Sequence, residues 1–401
     1  MTITKPILPI EAYTSQDWFD REQETIFSQT WQFAGFVEDL NQSGDYLTVQ
    51  AGVNNILVLL DDNKQMRAFH NICRHRGTQL LRTSGKRKKA IACPYHDWTY
   101  NLDGNLVAVP ECKTQFPGLD FQTLSLYKAS VGIWRGMIFV HPDTHASSLV
   151  NWFSPIEPYL GPHQPEKLVE YVEGRTRHQI NANWKIIVEN YIDGYHLPHL
   201  HSQTLFMYNH RRQQTGFVGE HFHFYEPLTK DYLEGLENNS PLPLINHVPK
   251  DKIGAYVPML FPNLELSETE SSWSTFHVIP VAPDRSIVEI RSKVMRVSNW
   301  KYMQQEWNSW NYFAQGKWDK YVTGNEEDPL ASGDFIAEDI YVCEQQQRSL
   351  KSPYFSIGAI AKDLEQSVYQ YQINLLNYMK SSEKKSGVRS QESGGDRITK
   401  I

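Results

Sequence analysis

His70-Asn-Ile-Cys-Arg-His-Arg-Gly77 and Cys93-Pro-Tyr-His-Asp-Trp-Thr-Tyr-Asn-Leu-Asp-Gly104 decide how this chain is read. Cys73-Arg-His75 is followed after seventeen residues by Cys93-Pro-Tyr-His96, so each half supplies one thiolate and one imidazole. Zinc fingers usually pair Cys with Cys and His with His. One of each from two loops instead lets two hairpin tips close on a shared group from opposite sides. Two Cys for one iron and two His for the other suit a [2Fe–2S] centre with histidine ligands, with a structural zinc site as the rival. Gly77 permits a tight turn beside the metal. Trp98 and Tyr100 can pack around it, and backbone N–H groups can tune its potential.

The surrounding residues 45–140 hold short β-rich runs, Tyr46-Leu-Thr-Val-Gln50, Asn55-Ile-Leu-Val-Leu-Leu60 and Ala90-Ile-Ala-Cys93. Turn pairs Asp61-Asp62, Asp103-Gly104 and Pro117-Gly118 separate them, which predicts a small all-β domain ending near Gly136–His141. Before it, Trp18, Phe19, Ile26, Phe27 and Trp31 recur at roughly helical spacing and predict an amphipathic helix over 15–34. Beyond 150 the pattern is mixed. Helices are expected at 183–192, 299–318, 335–348 and 361–380, and strands at 219–226, 272–281 and 285–296. The polar tail 381–401 is expected to be disordered.

The chain has 401 residues, 40% apolar and 21% charged, which is room for two or three domains of an ordinary globular protein. A net charge of −7 argues against a general nucleic-acid binder. No apolar run approaches the length of a membrane span, and the first residues lack the basic head and apolar core of a signal peptide. The expected compartment is the cytoplasm. Only four cysteines occur, too few for a disulfide scaffold; Cys112 and Cys343 match no ligand pattern and are expected to be packing thiols. The basic run Lys86-Arg-Lys-Lys89 reads either as a solvated hairpin tip or as a docking patch for an acidic electron carrier.

A second constellation lies about a hundred residues on. Asp193-Gly-Tyr-His196 is followed after four residues by His201. Pro198 breaks any regular helix between the two histidines, yet a broken helix can still aim both rings at one point. Two His with a distant carboxylate suit a mononuclear Fe(II) with open positions for O₂, and a surface cluster of histidines is the other reading. Spacing alone does not identify the carboxylate among 46 acids. His199 and His210 fall outside the pattern.

With both motifs in view, the chain resembles the catalytic α subunit of the Rieske non-haem iron oxygenases over roughly residues 8–380. The resemblance rests on the Cys/His pair of motifs and on Asn183-Trp184, Glu189-Asn190, Asp193, His196 and His201. It implies an α+β fold: a helical segment 1–40, an all-β Rieske [2Fe–2S] domain 41–150, and a catalytic domain 151–380. In the catalytic domain a curved antiparallel sheet of helix-grip, START-like form is covered by helices. It implies Cys73, His75, Cys93 and His96 as cluster ligands and His196, His201 and Asp339 as iron ligands, with Glu338 and Asp334 as runners-up to Asp339. It also implies homotrimers in which Asp193 links His96 of one subunit to His196 of the next. Electrons would come from an NAD(P)H-dependent reductase, with or without a ferredoxin. One departure is Asp97, where the family usually has Gly or another small residue. The implied activity is oxygenation of a small organic substrate, an arene or an amine such as choline, carnitine or a betaine. Glu265, Glu268 and Glu270, with Trp273 and Phe276, are candidates to hold a cation. The rival from another class, a Rieske electron carrier, would leave the second motif unused.

Overall fold

The computed structural model describes residues 5–86, 88–313 and 327–392. The chain divides into two compact units, Arg21–Ser154 and a second that joins Met1–Asp20 to Pro155–Ile401. The expected N-terminal segment 1–40 is therefore split at Asp20.

The second unit is built on an eight-stranded antiparallel sheet. Its order is Val169–Ile180, Arg285–Val294, Ser272–Ala282, Leu264–Glu268, Ala255–Tyr256, His221–Glu226 and Gln214–Val218; Met259–Leu260 pairs with both Leu264–Glu268 and His221–Glu226. The hairpin Ser272–Ala282 and Arg285–Val294 follows its apolar alternation. Val169–Ile180 was not read from the sequence. Its residues, Val-Glu-Tyr-Val-Glu-Gly-Arg-Thr-Arg-His-Gln-Ile, are mostly exposed and polar, and pairing with Arg285–Val294 makes them a strand.

Besides Asn299–Phe313, where a helix was expected over 299–318, three helices longer than eight residues accompany the sheet among the described residues. Asn183 caps Trp184–Ile192, its side-chain oxygen accepting from the Lys185 N–H at 3.0 Å, and Asp334 caps Phe335–Ser349 by accepting from Ile336 N–H at 2.9 Å. The third, Gln366–Glu392, runs past the boundary expected at 380. Residues 393–401 of the expected tail, and 314–318 of the helix expected over 299–318, lie outside the described residues. A buried polar network ties these helices to the N-terminal residues. Asn183 N–H donates to Gln347 Oε1 at 2.8 Å, Gln347 Nε2 donates to the Tyr13 carbonyl at 3.1 Å, and Tyr13 Oη donates to Glu189 at 2.7 Å. Gln372 donates to both Tyr13 Oη and Glu189, at 3.1 and 2.9 Å.

The first unit has three short antiparallel sheets. Tyr46–Ala51, Asn54–Leu60 and Met66–His70 form a meander. The middle strand is nearly all apolar because both faces are covered. Leu57 and Leu59 pack with Phe69, Trp98 and Tyr100, while Ile56, Val58 and Leu60 pack with Ala68, Ile138 and Val140. The helix expected over 15–34 stops early: Gln16–Glu22 is α-helical, Gln23–Phe27 is a π-helical turn, and Gln32–Phe36 is a strand. That strand pairs with Met137–Val140 and buries Phe33 and Phe36. Long-range pairing overrides the local helical spacing.

The two Cys/His loops share one backbone design. Cys73 N–H donates to the Thr78 carbonyl and Gly77 N–H to the Cys73 carbonyl; Cys93 N–H donates to Trp98 and Asp97 N–H to Cys93 in the same way. The equivalent residues Gly77 and Asp97 both have left-handed backbone, at φ 75° and 58°. Glycine takes this conformation freely, whereas a side chain is strained there, with Asp and Asn among the best tolerated. Asp97 thus keeps the loop that glycine would form, at some expense in stability. Asp97→Gly should stabilise this unit by roughly 0.5–1 kcal/mol, the relief of strain exceeding glycine's entropic loss. The check is the temperature at which the visible absorption of the cluster is lost; a lower temperature in the variant would contradict this account.

Candidate metal centres

In the first unit Cys73 and Cys93 are buried and the rings of His75 and His96 lie 4.7 Å apart. Trp98 stacks on His75 at 4.7 Å, with Phe116 against its edge. Tyr100 Oη lies 3.4 Å from Cys73 Sγ and accepts from the Arg74 N–H at 3.0 Å. The Nδ1 atom of His75 is buried and has no hydrogen-bond partner among the described residues. Such an orphaned nitrogen is what a metal ligand leaves behind when the metal is not counted. Burial, and then the neighbouring Cys73, push the Cys93 thiol up, so loading must displace protons. The donor set fits a histidine-ligated cluster. It fits one zinc less well: among the described residues, the one group of three or more such side chains whose ligand atoms all lie within 4.8 Å is elsewhere.

That group is His196, His201 and Asp339. Helix Trp184–Ile192 ends at Asp193, and a short turn of helix, Leu197–Leu200, carries Pro198 at its start. The break turns both rings one way, with centroids 5.0 Å apart. Asp339 Oδ1 lies 3.1 Å from His201 Nε2 and 3.8 Å from His196 Nε2. The other ring nitrogens are held by carboxylates: His201 Nδ1 meets Glu338 Oε2 at 2.7 Å and His196 Nδ1 meets Asp193 Oδ2 at 3.1 Å. Both imidazoles are thereby oriented with Nε2 toward Asp339, the arrangement a metal site needs. Asn190 Nδ2 donates to Asp339 Oδ1 at 2.9 Å, and Thr204 Oγ1 donates to Glu338 at 2.7 Å. Burial disfavours the His201 cation, but the hydrogen bonds and charges of Asp339 and Glu338 outweigh it and lift the ring to about 9. For Asp339 burial is again the largest effect and is overcome, chiefly by His201, so the carboxyl sits below its ordinary value. Two imidazoles and one carboxylate on one side fit a divalent iron with open positions.

The structure separates the three acids that the sequence left in competition. Asp339 reaches both histidines, Glu338 reaches the far nitrogen of His201, and Asp334 is spent on the helix cap. His210 pairs with Glu226 at 2.9 Å and His199 packs against Tyr195. Asn190 and Thr204 went unread as site residues. Asn190 stood inside the quoted motif, and Thr204 lies one turn past His201. Of the acids offered for a cation, Glu268 accepts from Trp273 Nε1 at 3.0 Å and Gly161 N–H at 2.6 Å, and Glu270 accepts from Tyr232 at 3.0 Å. Those acids brace the fold. Lys86 pairs with Asp45 at 3.4 Å, and Arg87 of the basic run lies outside the described residues. Cys343 is buried beneath Asp339 on the same helix and Cys112 packs against the first unit's core.

Residues 30–127 match the Rieske [2Fe–2S] domain, and residues 168–381 match the family described as the ring hydroxylating alpha subunit, catalytic domain. The chloroplastic choline monooxygenase of Spinacia oleracea is 25% identical over 371 residues, which cover 90% of this chain and 76% of that protein. The carnitine monooxygenase oxygenase subunit of Acinetobacter pittii is 33% identical over 191 residues, 47% of this chain and 51% of that one. Among solved structures, the quaternary ammonium Rieske monooxygenase CntA with L-carnitine superposes at TM-score 0.69 and 22% identity, covering 94% of this chain and 96% of that one. Naphthalene 1,2-dioxygenase from Rhodococcus gives TM-score 0.68 at 20% identity, covering 93% of each chain. These superpositions establish the fold.

Asp339→Asn should abolish the mononuclear iron and leave the [2Fe–2S] spectrum intact. Glu338→Gln should retain the site but weaken iron affinity roughly 10–100-fold, because it only orients His201. Iron titration of both variants checks this; full iron binding by Asp339→Asn would reassign the third ligand.

Proposed function

The chain belongs to the ring hydroxylating alpha-subunit family and, with its Rieske domain, is the oxygenase component of a Rieske non-haem iron system; we propose that its substrate is a small quaternary ammonium compound or related amine. The convergence of His196, His201 and Asp339 carries the oxygenase reading, since an electron carrier has no use for a second metal site. The amine class is supported by choline monooxygenases that align with 90% of the chain.

In this reading Cys73, His75, Cys93 and His96 hold the [2Fe–2S] cluster, and His196, His201 and Asp339 hold Fe(II). When bound, the cluster supplies single electrons and the Fe(II) supplies O₂ activation for insertion into the substrate. The chain's own residues do the positioning. Asp193 and Glu338 fix the two imidazoles, Asn190 steadies Asp339, and Thr204 steadies Glu338. An NAD(P)H-dependent reductase, with or without a ferredoxin, delivers the electrons, and the working assembly is a homotrimer in the cytoplasm. No helix among the described residues is long and apolar enough to cross a membrane.

Asp193 is the proposed bridge between subunits, accepting from His96 of a neighbour while it holds His196. Inter-subunit electron transfer is described for a quaternary ammonium Rieske monooxygenase of the same fold, and the Asp193 carboxylate, 16% exposed, keeps a side open to such a partner.

Reconstituted with a reductase, the enzyme should contain three irons per chain and consume O₂ with a hydroxylated or demethylated ammonium product. Oxygenation of arenes alone would overturn the substrate class. Asp193→Asn should keep both metal sites and the trimer yet slow reoxidation of the reduced cluster by O₂ and substrate roughly 10–100-fold, since a charged acceptor becomes a neutral amide. Wild-type reoxidation in single-turnover mixing would remove the bridge.

A further inference from the structure

Glu265 is 2% exposed, and its Oε1 has no hydrogen-bond partner among the described residues. The other buried glutamates of this unit each have at least one partner: Glu226 has His210, Glu268 has Trp273, Glu338 has His201, and Glu270 has Tyr232 on one oxygen while its Oε2 has none among the described residues. A buried carboxyl without a partner is a standing penalty of a few kcal/mol. Among these glutamates Glu265 alone has a carboxyl with no partner on either oxygen among the described residues, which leaves it available to a group from outside the chain.

Its surroundings say what that is. On strand Leu264–Glu268, Glu265 stands opposite Met259 on one side and Phe276 on the other, so these three share a sheet face. Tyr191 of helix Trp184–Ile192 lies 6.4 Å, centroid to centroid, from Phe276. The preceding residue of that helix, Asn190, holds Asp339. Glu265 is also close enough to Asp339 for the two carboxylates to repel, which adds to burial in pushing the Glu265 carboxyl up. A buried carboxyl without a partner among the described residues, on the same sheet face as Phe276 and close to Tyr191 and Asp339, matches a bound ammonium, whose charge would hold the carboxyl in its ionised form. The rings take its methyl groups and offer cation–π attraction, and the carboxylate takes its charge.

We propose that Glu265 is the specificity-determining residue that recognises the positive charge of the substrate, an inference that rests on the amine reading of this site. Glu268, Glu270 and Trp273 are not part of the recognition, because Trp273 and the Gly161 N–H donate to Glu268 and Tyr232 donates to Glu270.

The test compares Glu265→Gln with wild type on choline and carnitine and on their neutral isosteres, in which carbon replaces the quaternary nitrogen. Glutamine preserves shape and removes the charge. Iron content and the [2Fe–2S] spectrum should be unchanged. kcat/KM for the cation should fall roughly a hundredfold, as truncating one partner of a buried ion pair does, while that for the neutral isostere should hold or rise. An unchanged ratio of cation to isostere overturns the assignment, and so does loss of the mononuclear iron, which would give Glu265 to the metal. If the wild type turns over neither ammonium compound, the amine reading itself has failed.

Discussion

One carboxylate oxygen, Asp339 Oδ1, sets the constraint on which the catalytic unit depends. It faces His201 Nε2 and His196 Nε2 and receives the amide of Asn190, at 3.1, 3.8 and 2.9 Å. Asn190 and the two histidines come from one stretch of chain and Asp339 from a helix far along the sequence. Their convergence requires two helices fixed against each other to a fraction of an ångström. The Tyr13, Glu189, Asn183, Gln347 and Gln372 network does this with buried hydrogen bonds that have specific partners. Apolar packing alone tolerates sliding; a chain of satisfied polar groups has one register.

The same helices carry the outer layer. Adjacent residues Glu338 and Asp339 point their carboxylates at opposite nitrogens of one ring, which leaves His201 no freedom of tautomer or rotation. Asp193 treats His196 alike from the end of helix Trp184–Ile192. Pro198 contributes by stopping the helix, so that His196 and His201 are released from helical spacing and can face each other.

The Rieske unit solves a related problem with loops rather than helices. Two backbone turns of identical hydrogen-bonding present Cys at the same position and His at the third or the fourth residue. The left-handed residue that closes each turn, Gly77 or Asp97, matters more to the shape than the residues between. Behind the loops, strand Asn54–Leu60 separates two apolar clusters, and Trp98 and Tyr100 belong to the one beneath the ligands. Their packing against His75 and Cys73 makes the cluster site an extension of the core.

Much of this was legible in the sequence because metal chemistry restricts residue types. Cys73, His75, Cys93 and His96 stand out as candidate ligands because few other residue types suit such a centre at that spacing, and His196 and His201 stand out through the family resemblance. The hairpin over 272–294 and the helix near 335–349 were also legible as local patterns. Strand Val169–Ile180 and the strand start at Gln32 were not, since both depend on partners remote in sequence. The distant carboxylate was equally out of reach of spacing: Asp334, Glu338 and Asp339 look alike in a row. Only the tertiary structure makes one a cap, one an orienting acceptor and one the group facing both histidines. It likewise leaves the Glu265 carboxyl without a partner among the described residues. Local patterns report what a residue can do. Which partner it meets is decided by long-range packing, which brings together atoms that the chain keeps far apart.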